Sequence, residues 1–255
     1  MTKIVIQNKP KRFNKVINVD GDKSISIRSL LIGSQSHGIC KISNLSNSED
    51  IMTTITGLKK LGVRILKKKE KYYIFGNGLN SFNLKKNIVI DAGNSGTFAR
   101  LLLGLLIKSP HTIKIIGDES LSRRDFLRII LPLKEFGANF FSKKKIGLPI
   151  KILGSELIRP IKYLEKKGSA QCKSSVMLAA LNAPGTTIIK AKKSRDHTEN
   201  FYKFLKLPIK IYKTKKFDVI KVKGECQFKS FDYNIPGDVS SSAFFIILTL
   251  LSNNS

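Results

Sequence analysis

Three short stretches set a cation beside small and hydroxyl residues at what reads as the start of an apolar helix. They are Lys23-Ser24-Ile25-Ser26-Ile27-Arg28, Ser95-Gly96-Thr97-Phe98-Ala99-Arg100 and Ser169-Ala170-Gln171-Cys172-Lys173. A helix start carries N–H groups without intrahelical partners and the positive end of the macrodipole, so each stretch is suited to an anion. Gly96 has no side chain and lets a small anion approach the backbone closely. Taken singly, each stretch is an ordinary capped helix with a solvated Lys or Arg. Recurrence at the same place three times favours phosphate or carboxylate binding, although repeats also recur for folding reasons alone.

Two polar turns add further cations. Gly117-Asp118-Glu119-Ser120-Leu121-Ser122-Arg123-Arg124-Asp125 holds two arginines in tandem, a residue type suited to bidentate phosphate or carboxylate recognition. The bland alternative is that both pair with Asp118 and Asp125 as surface ion pairs. In Ser194-Arg195-Asp196-His197-Thr198-Glu199, Arg195 is placed to hold an anion across a cleft, and His197 reads as a turn or capping residue rather than a base. There is no carboxylate pair, nucleophile motif or metal-ligand cluster of convincing spacing.

The elements that must position these residues repeat. Each polar start leads into an apolar helix, then a strand (Cys40–Ser43, Thr112–Ile116, Thr186–Ile189), a polar turn, an amphipathic helix and two strands closing on Gly78, Gly154 and Gly224. The unit is β-α-β-α-β-β, about 70 residues long. Ile51, Ile55, Leu58 and Leu61 make one stripe at period 3.6, with Ser48 placed as N-cap and Glu49 and Asp50 in the first turn. The predicted fold class is α/β, a pseudo-threefold repeat of such units over residues 21–235. A fourth unit opens at Pro236-Gly237-Asp238-Val239-Ser240-Ser241 and stops after one helix, over residues 236–255, which predicts a chain cut short in mid-unit.

Composition bounds the rest. The chain has 255 residues, 42% of them hydrophobic, enough for a packed core. Its longest apolar runs are too short to span a bilayer. Met1–Ile6 reads as a strand with no targeting segment ahead of it, and Cys40, Cys172 and Cys226 suit free thiols, so a cytoplasmic protein is expected. Lys and Arg number 46 against 18 Asp and Glu, a net charge of +28. The excess is mostly Lys, spread along the chain in runs such as Lys67-Lys68-Lys69 and Lys143-Lys144-Lys145 without interleaved aromatics. A solvated face is therefore preferred to a nucleic-acid footprint. An acidic counterpart outside the chain is a third reading.

Six motifs then resemble, in order, those of the 5-enolpyruvylshikimate-3-phosphate (EPSP) synthases. Gly21-Asp22-Lys23-Ser24-Ile25-Ser26 is similar to the family's opening G-D-K-S-I-S, and Gly93-Asn94-Ser95-Gly96-Thr97 with Arg100 to its G-N-A-G-T…R. Gly117-Asp118, Ser120-Leu121 and Arg124 match G-D-x-S-L-x-x-R. Ser169-Ala170-Gln171 with Lys173-Ser174, and Arg195 with His197-Thr198-Glu199, look like S-A-Q-x-K-S and R-x-H-T-E of one subgroup. Pro236-Gly237-Asp238, Ser240-Ser241 and Ala243 match P-G-D-x-S-S-x-A.

The resemblance implies two domains of three units each around a central cleft, with residues 1–20 an opening strand of the other domain. It implies transfer of the enolpyruvyl group of phosphoenolpyruvate to the 5-hydroxyl of shikimate 3-phosphate, with no metal or organic cofactor, in a monomer needing no nucleic acid or membrane. Lys23 would contact both substrates and act in catalysis. Ser24, Arg28, Ser169, Ala170, Gln171 and Arg195 would hold shikimate 3-phosphate, with Gln171 also reaching phosphoenolpyruvate, and Gly96 and Arg124 would hold phosphoenolpyruvate. The family's catalytic aspartate belongs to the other domain, so the chain by itself is expected to be inactive. Three positions depart from the pattern: Asp20 and Asp125 replace prolines and Ile27 replaces a histidine. The nearest alternative is the sister family that transfers enolpyruvyl to UDP-N-acetylglucosamine, which usually carries a cysteine in the loop matching Gly117–Asp125; none stands there. A basic nucleic-acid-binding module is the alternative of another class.

Overall fold

The computed structural model describes residues 15–84, 86–142 and 147–251. The strand expected at Met1–Ile6 and the Lys143–Lys145 run lie outside these residues.

The first unit comprises α1 (Lys23–Gly33), β1 (His37–Ser43), α2 (Glu49–Lys60), β2 (Arg64–Lys68) and β3 (Lys71–Asn77). The second comprises β4 (Val89–Asp91), α3 (Gly96–Leu105), β5 (Ile113–Ile116), a single turn α4 (Glu119–Ser122), α5 (Leu127–Glu135), β6 (Asn139–Phe141) and β7 (Ile150–Leu153). The third comprises β8 (Lys162–Glu165), α6 (Ala170–Ala180), β9 (Thr186–Lys192), α7 (His197–Phe204), β10 (Ile209–Lys213) and β11 (Phe217–Lys223). β12 (Asp232–Asn234) and α8 (Val239–Leu251) follow. The strands β3, β7 and β11 each stop one residue before Gly78, Gly154 and Gly224, the glycines that mark the repeat.

Three four-stranded sheets share one topology: β4-β5-β7-β6, β8-β9-β11-β10 and β12-β1-β3-β2. In each, the leading strand runs parallel to its neighbour and the other pairs are antiparallel. The first unit takes its leading strand from far along the chain: β12 pairs with β1, Lys41 opposite Asp232 and Ser43 opposite Asn234. Its short Asp-Tyr-Asn stretch carries no strand pattern, so only the symmetry of the repeat hints at it.

The helices divide by sequence pattern. α1, α3 and α6 are apolar or small nearly all round and lie inside, buried from Ser26, Gly96 and Cys172 onward. α2 is amphipathic and buries Ile51, Ile55 and Leu58 on the expected stripe. α3 and α6 pack backbone to backbone, because a Cβ on Gly104 would lie 2.3 Å from the Ser175 carbonyl oxygen. The Ser175 hydroxyl then donates to the Arg100 carbonyl at 2.8 Å.

Two helix boundaries are set by backbone detail. Ser48 stands at the N-cap of α2, but its hydroxyl makes no cap bond and contacts the Ser46 hydroxyl instead. α7 ends at Phe204, because Lys206 takes a left-handed conformation (φ 54°) and Leu207 N–H reaches back to Tyr202 O at 2.9 Å. That is a glycine-type helix stop built without glycine, hence invisible in the sequence.

Candidate functional site

The start of α1 opens on a cleft of about 580 Å³ lined by Lys23, Ser24 and Arg195, by the turn Ser46–Ser48 and by Asp238, Ser240 and Ser241. Two chain segments cross at its floor. Asp22 N–H donates to Pro236 O at 2.8 Å and Asp238 N–H to Asp20 O at 2.9 Å. The Asp238 carboxylate accepts from Ser240 N–H at 2.8 Å and from Lys23 N–H at 3.4 Å. Burial works to raise its pKa, but these backbone donors outweigh it and hold the group below the usual carboxylate range. Asp238, Ser240, Ser241 and Ser46 also line the cleft; Pro236–Ala243 is legible in the sequence as a motif, but nothing local to it shows this placement. Lys23 Nζ lies 3.2 Å from Asp50. Both are partly exposed, so the pair is worth ~0–1 kcal/mol and a ligand can displace it at little cost.

Beneath Ser24 lies Arg28, only 3% exposed. Its Nη1 donates to Ser24 O at 2.9 Å, its Nε to Thr198 Oγ1 at 2.8 Å and its Nη2 to Ser174 Oγ at 3.0 Å. Ser174 and Thr198 bond each other at 2.7 Å, so α1, α6 and α7 meet at one guanidinium. Burial pushes the Arg28 pKa down to about 10, against the raising influence of Glu199 and Asp22. It stays charged at neutral pH. Next to this triad the fully buried Lys173 and Glu199 pair at 2.5 Å.

A second group forms at the start of α3. Gly96 is buried, and a Cβ there would lie 2.8 Å from Arg100 Nη1 and 3.1 Å from Arg124 Nη1. The missing side chain lets two guanidiniums gather over one helix start. Arg124 donates to Asn94 Oδ1 at 2.9 Å, and Asn94 in turn donates to Asp118 at 2.5 Å. Arg100 donates to Gln171 Oε1 at 2.6 Å, and Gln171 Nε2 to Thr97 Oγ1 at 2.9 Å, which ties α6 to this group. Arg123 turns away and pairs with Glu119, so of the tandem arginines only Arg124 joins the site.

The structure thus brings Lys23, Ser24, Arg28 and Arg195 together, and separately Gly96, Arg100, Arg124 and Gln171. Arg28, Gly96, Arg124, Ser169, Ala170 and Gln171 are not among the residues lining the cleft; Arg28 lies behind Ser24, bonded to its carbonyl oxygen. The helix starts are also less open than the sequence suggested. Asp22, Ser95 and Ser169 cap α1, α3 and α6, and Gly96 N–H is held by Asn94 O at 2.9 Å. The buried Glu165 carboxylate takes the N–H groups of Lys167, Gly168 and Ser169 at 2.6–3.0 Å. Attraction for an anion therefore rests on the side-chain cations more than on bare N–H groups. His197 is the first residue of α7, half-buried, its pKa lowered by burial and then by Arg28. Of the departures from the family pattern, Ile27 is in the core, Asp20 accepts from Asn47 and Asp125 accepts from Leu127 N–H. Among the described residues, no group of three or more His, Cys, Asp or Glu could hold a metal ion. Nor, among them, is any helix long and apolar enough to cross a membrane.

A family model described as EPSP synthase (3-phosphoshikimate 1-carboxyvinyltransferase) matches residues 7–255. A 3-phosphoshikimate 1-carboxyvinyltransferase of Caldicellulosiruptor bescii is 39% identical over 247 residues, 96% of this chain and 56% of that protein. One from Vesicomyosocius okutanii is 39% identical over 249 residues, 97% of this chain and 55% of its own length. A solved EPSP synthase structure from Acinetobacter baumannii superposes with a TM-score of 0.84 at 30% identity, covering 92% of this chain and 53% of that one. The chain spans about half the length of the curated relatives it matches.

Proposed function

The chain belongs to the EPSP synthase family, and we propose that it carries the phosphate-holding share of an enolpyruvyl transfer site. The reaction joins the 5-hydroxyl oxygen of shikimate 3-phosphate to C2 of phosphoenolpyruvate while the methylene carbon takes a proton. The tetrahedral intermediate then loses that proton's equivalent and inorganic phosphate, leaving the enol ether. Negative charge is carried by both substrates throughout, so fixed cations serve binding and the passage through the intermediate.

Lys23, Ser24, Arg28 and Arg195 are assigned to shikimate 3-phosphate, with Ser169, Ala170 and Gln171 from the start of α6. Gly96 and Arg124 are assigned to phosphoenolpyruvate, and Lys23, once released from Asp50, to both. Gln171, bonded to Thr97 and Arg100, stands between the two groups. Residues 21–235 are assigned as one three-unit domain, residues 1–20 and 236–255 as segments of a second, and the protein as a cytoplasmic monomer acting without nucleic acid. The observation that carries this reading is Arg28, a buried cation kept charged next to the Lys23–Ser24–Arg195 cleft.

The test is calorimetric titration of the 255-residue chain with shikimate 3-phosphate, paired with a phosphate-release assay on both substrates. Binding without turnover is the expected result for these residues by themselves. Absence of binding at millimolar ligand, or equal binding of shikimate without its phosphate, overturns the assignment.

A further inference from the structure

Two polar ties join α6 to α7 at adjacent positions. One is the hydroxyl pair Ser174–Thr198, which holds Arg28. The other, one residue away in each helix, is the ion pair Lys173–Glu199, neither member of which lines the cleft. Its exposure of 1% and 3% makes it costly, since burying two charges loses more hydration than their attraction returns unless further bonds are made. Further bonds are lacking on one side, because Glu199 Oε2 is buried with no hydrogen-bond partner among the described residues. Glu199 is also the strongest attractive charge acting on Arg28. A buried carboxylate with a spare oxygen is thus bonded to Lys173, while the residue before it, Thr198, is bonded to Arg28 and its charge acts on that guanidinium too.

We propose that Lys173 is a positioning residue that engages Glu199 and so keeps it from neutralising Arg28, leaving that guanidinium for the anionic ligand. The inference rests on the assignment of Arg28 to the phosphorylated substrate. Arg28 uses three of its five N–H donors on Ser24, Thr198 and Ser174, and two remain for a ligand. Without Lys173, the cheapest partner for the stranded Glu199 carboxylate is those same two donors. The ligand would then have to displace an internal anion.

The test measures shikimate 3-phosphate affinity in a set of variants, with folding checked by circular dichroism and thermal melting. Lys173→Met is expected to bind on the order of tenfold more weakly than wild type. Adding Glu199→Gln to it removes the internal competitor and should return affinity to within about twofold of wild type. A merely structural ion pair predicts no such rescue of affinity. Glu199→Gln alone should bind no more weakly than wild type even if it melts earlier, and this variant decides the matter if Lys173→Met does not fold. Unchanged affinity in Lys173→Met, failure of the double variant to recover, or a tenfold loss in Glu199→Gln overturns the inference. Arg28→Met separates the two ideas. Wild-type affinity there removes the site assignment and this inference with it, whereas weakened binding there with unchanged Lys173→Met removes this inference alone.

Discussion

Arg28 and Arg124 are both guanidiniums set beside a helix start, and the fold holds them in opposite ways. Arg28 is sunk between α1, α6 and α7 with three of its donors fixed by protein oxygens. Arg124 is exposed and is steadied by Asn94 and Ser120. The buried cation is held against its own desolvation, which pulls its pKa down to about 10. A cation kept buried at such a cost marks a place to test for function. The exposed cation keeps its contact with solvent.

The largest expected effect tests the buried member. Arg28→Met should lower affinity for shikimate 3-phosphate tenfold or more, a charge-assisted contact being worth ~1.5–3 kcal/mol. Its melting temperature should stay level or rise, because an apolar side chain of similar length avoids the desolvation cost. A large fall in melting temperature with affinity unchanged would make Arg28 a structural residue and dissolve the contrast.

Gly96→Ala acts on the exposed member. The new methyl group would meet the far ends of Arg100 and Arg124, which can shift, so folding should change little. Arg124 would be pushed from the start of α3, weakening phosphoenolpyruvate binding by roughly three- to tenfold and leaving shikimate 3-phosphate affinity intact. Equal losses for both ligands in parallel titrations would show that the two groups are not separable.

The smallest effect concerns His197, whose pKa lies below 6.5 through burial and then through Arg28. As pH falls through 6.5 the unfolded chain takes up the proton first, so the stability present above that pH is lost as pH falls through the folded value. Urea midpoints between about pH 7.5 and 5 should show this slope. His197→Gln should flatten it and Arg28→Met should reduce it. A slope unaffected by Arg28→Met would mean that the buried guanidinium does not reach His197.

The repeat, its sheet-closing glycines, the α2 stripe and the cation in the first turns of α1 were legible because each depends on local pattern: period, capping type, or a cation beside small residues. What escaped depends on distant or unpatterned contacts. β12 is three residues of unremarkable composition, and Lys206 ends α7 where glycine would have signalled the stop. Asp238 enters the cleft through a chain crossing that no window of sequence contains. The pairing of Lys173 with Glu199 was hidden for the same reason, as was Glu165 filling the N–H groups ahead of α6.

The seat of β12 beside β1 also sets a clock. Ser43 and Asn234 are 191 positions apart, and at roughly 5–20 residues per second the ribosome needs about 10–40 s to deliver the later one. During that interval the free side of β1 presents unpaired N–H and C=O groups, an edge able to accept any extended segment at hand. The second and third units have no such wait, since β4 and β8 are made before the strands they flank. The first unit to be synthesised is therefore the last to be completed, and until then its open edge is available to misfolding or to capture by a chaperone.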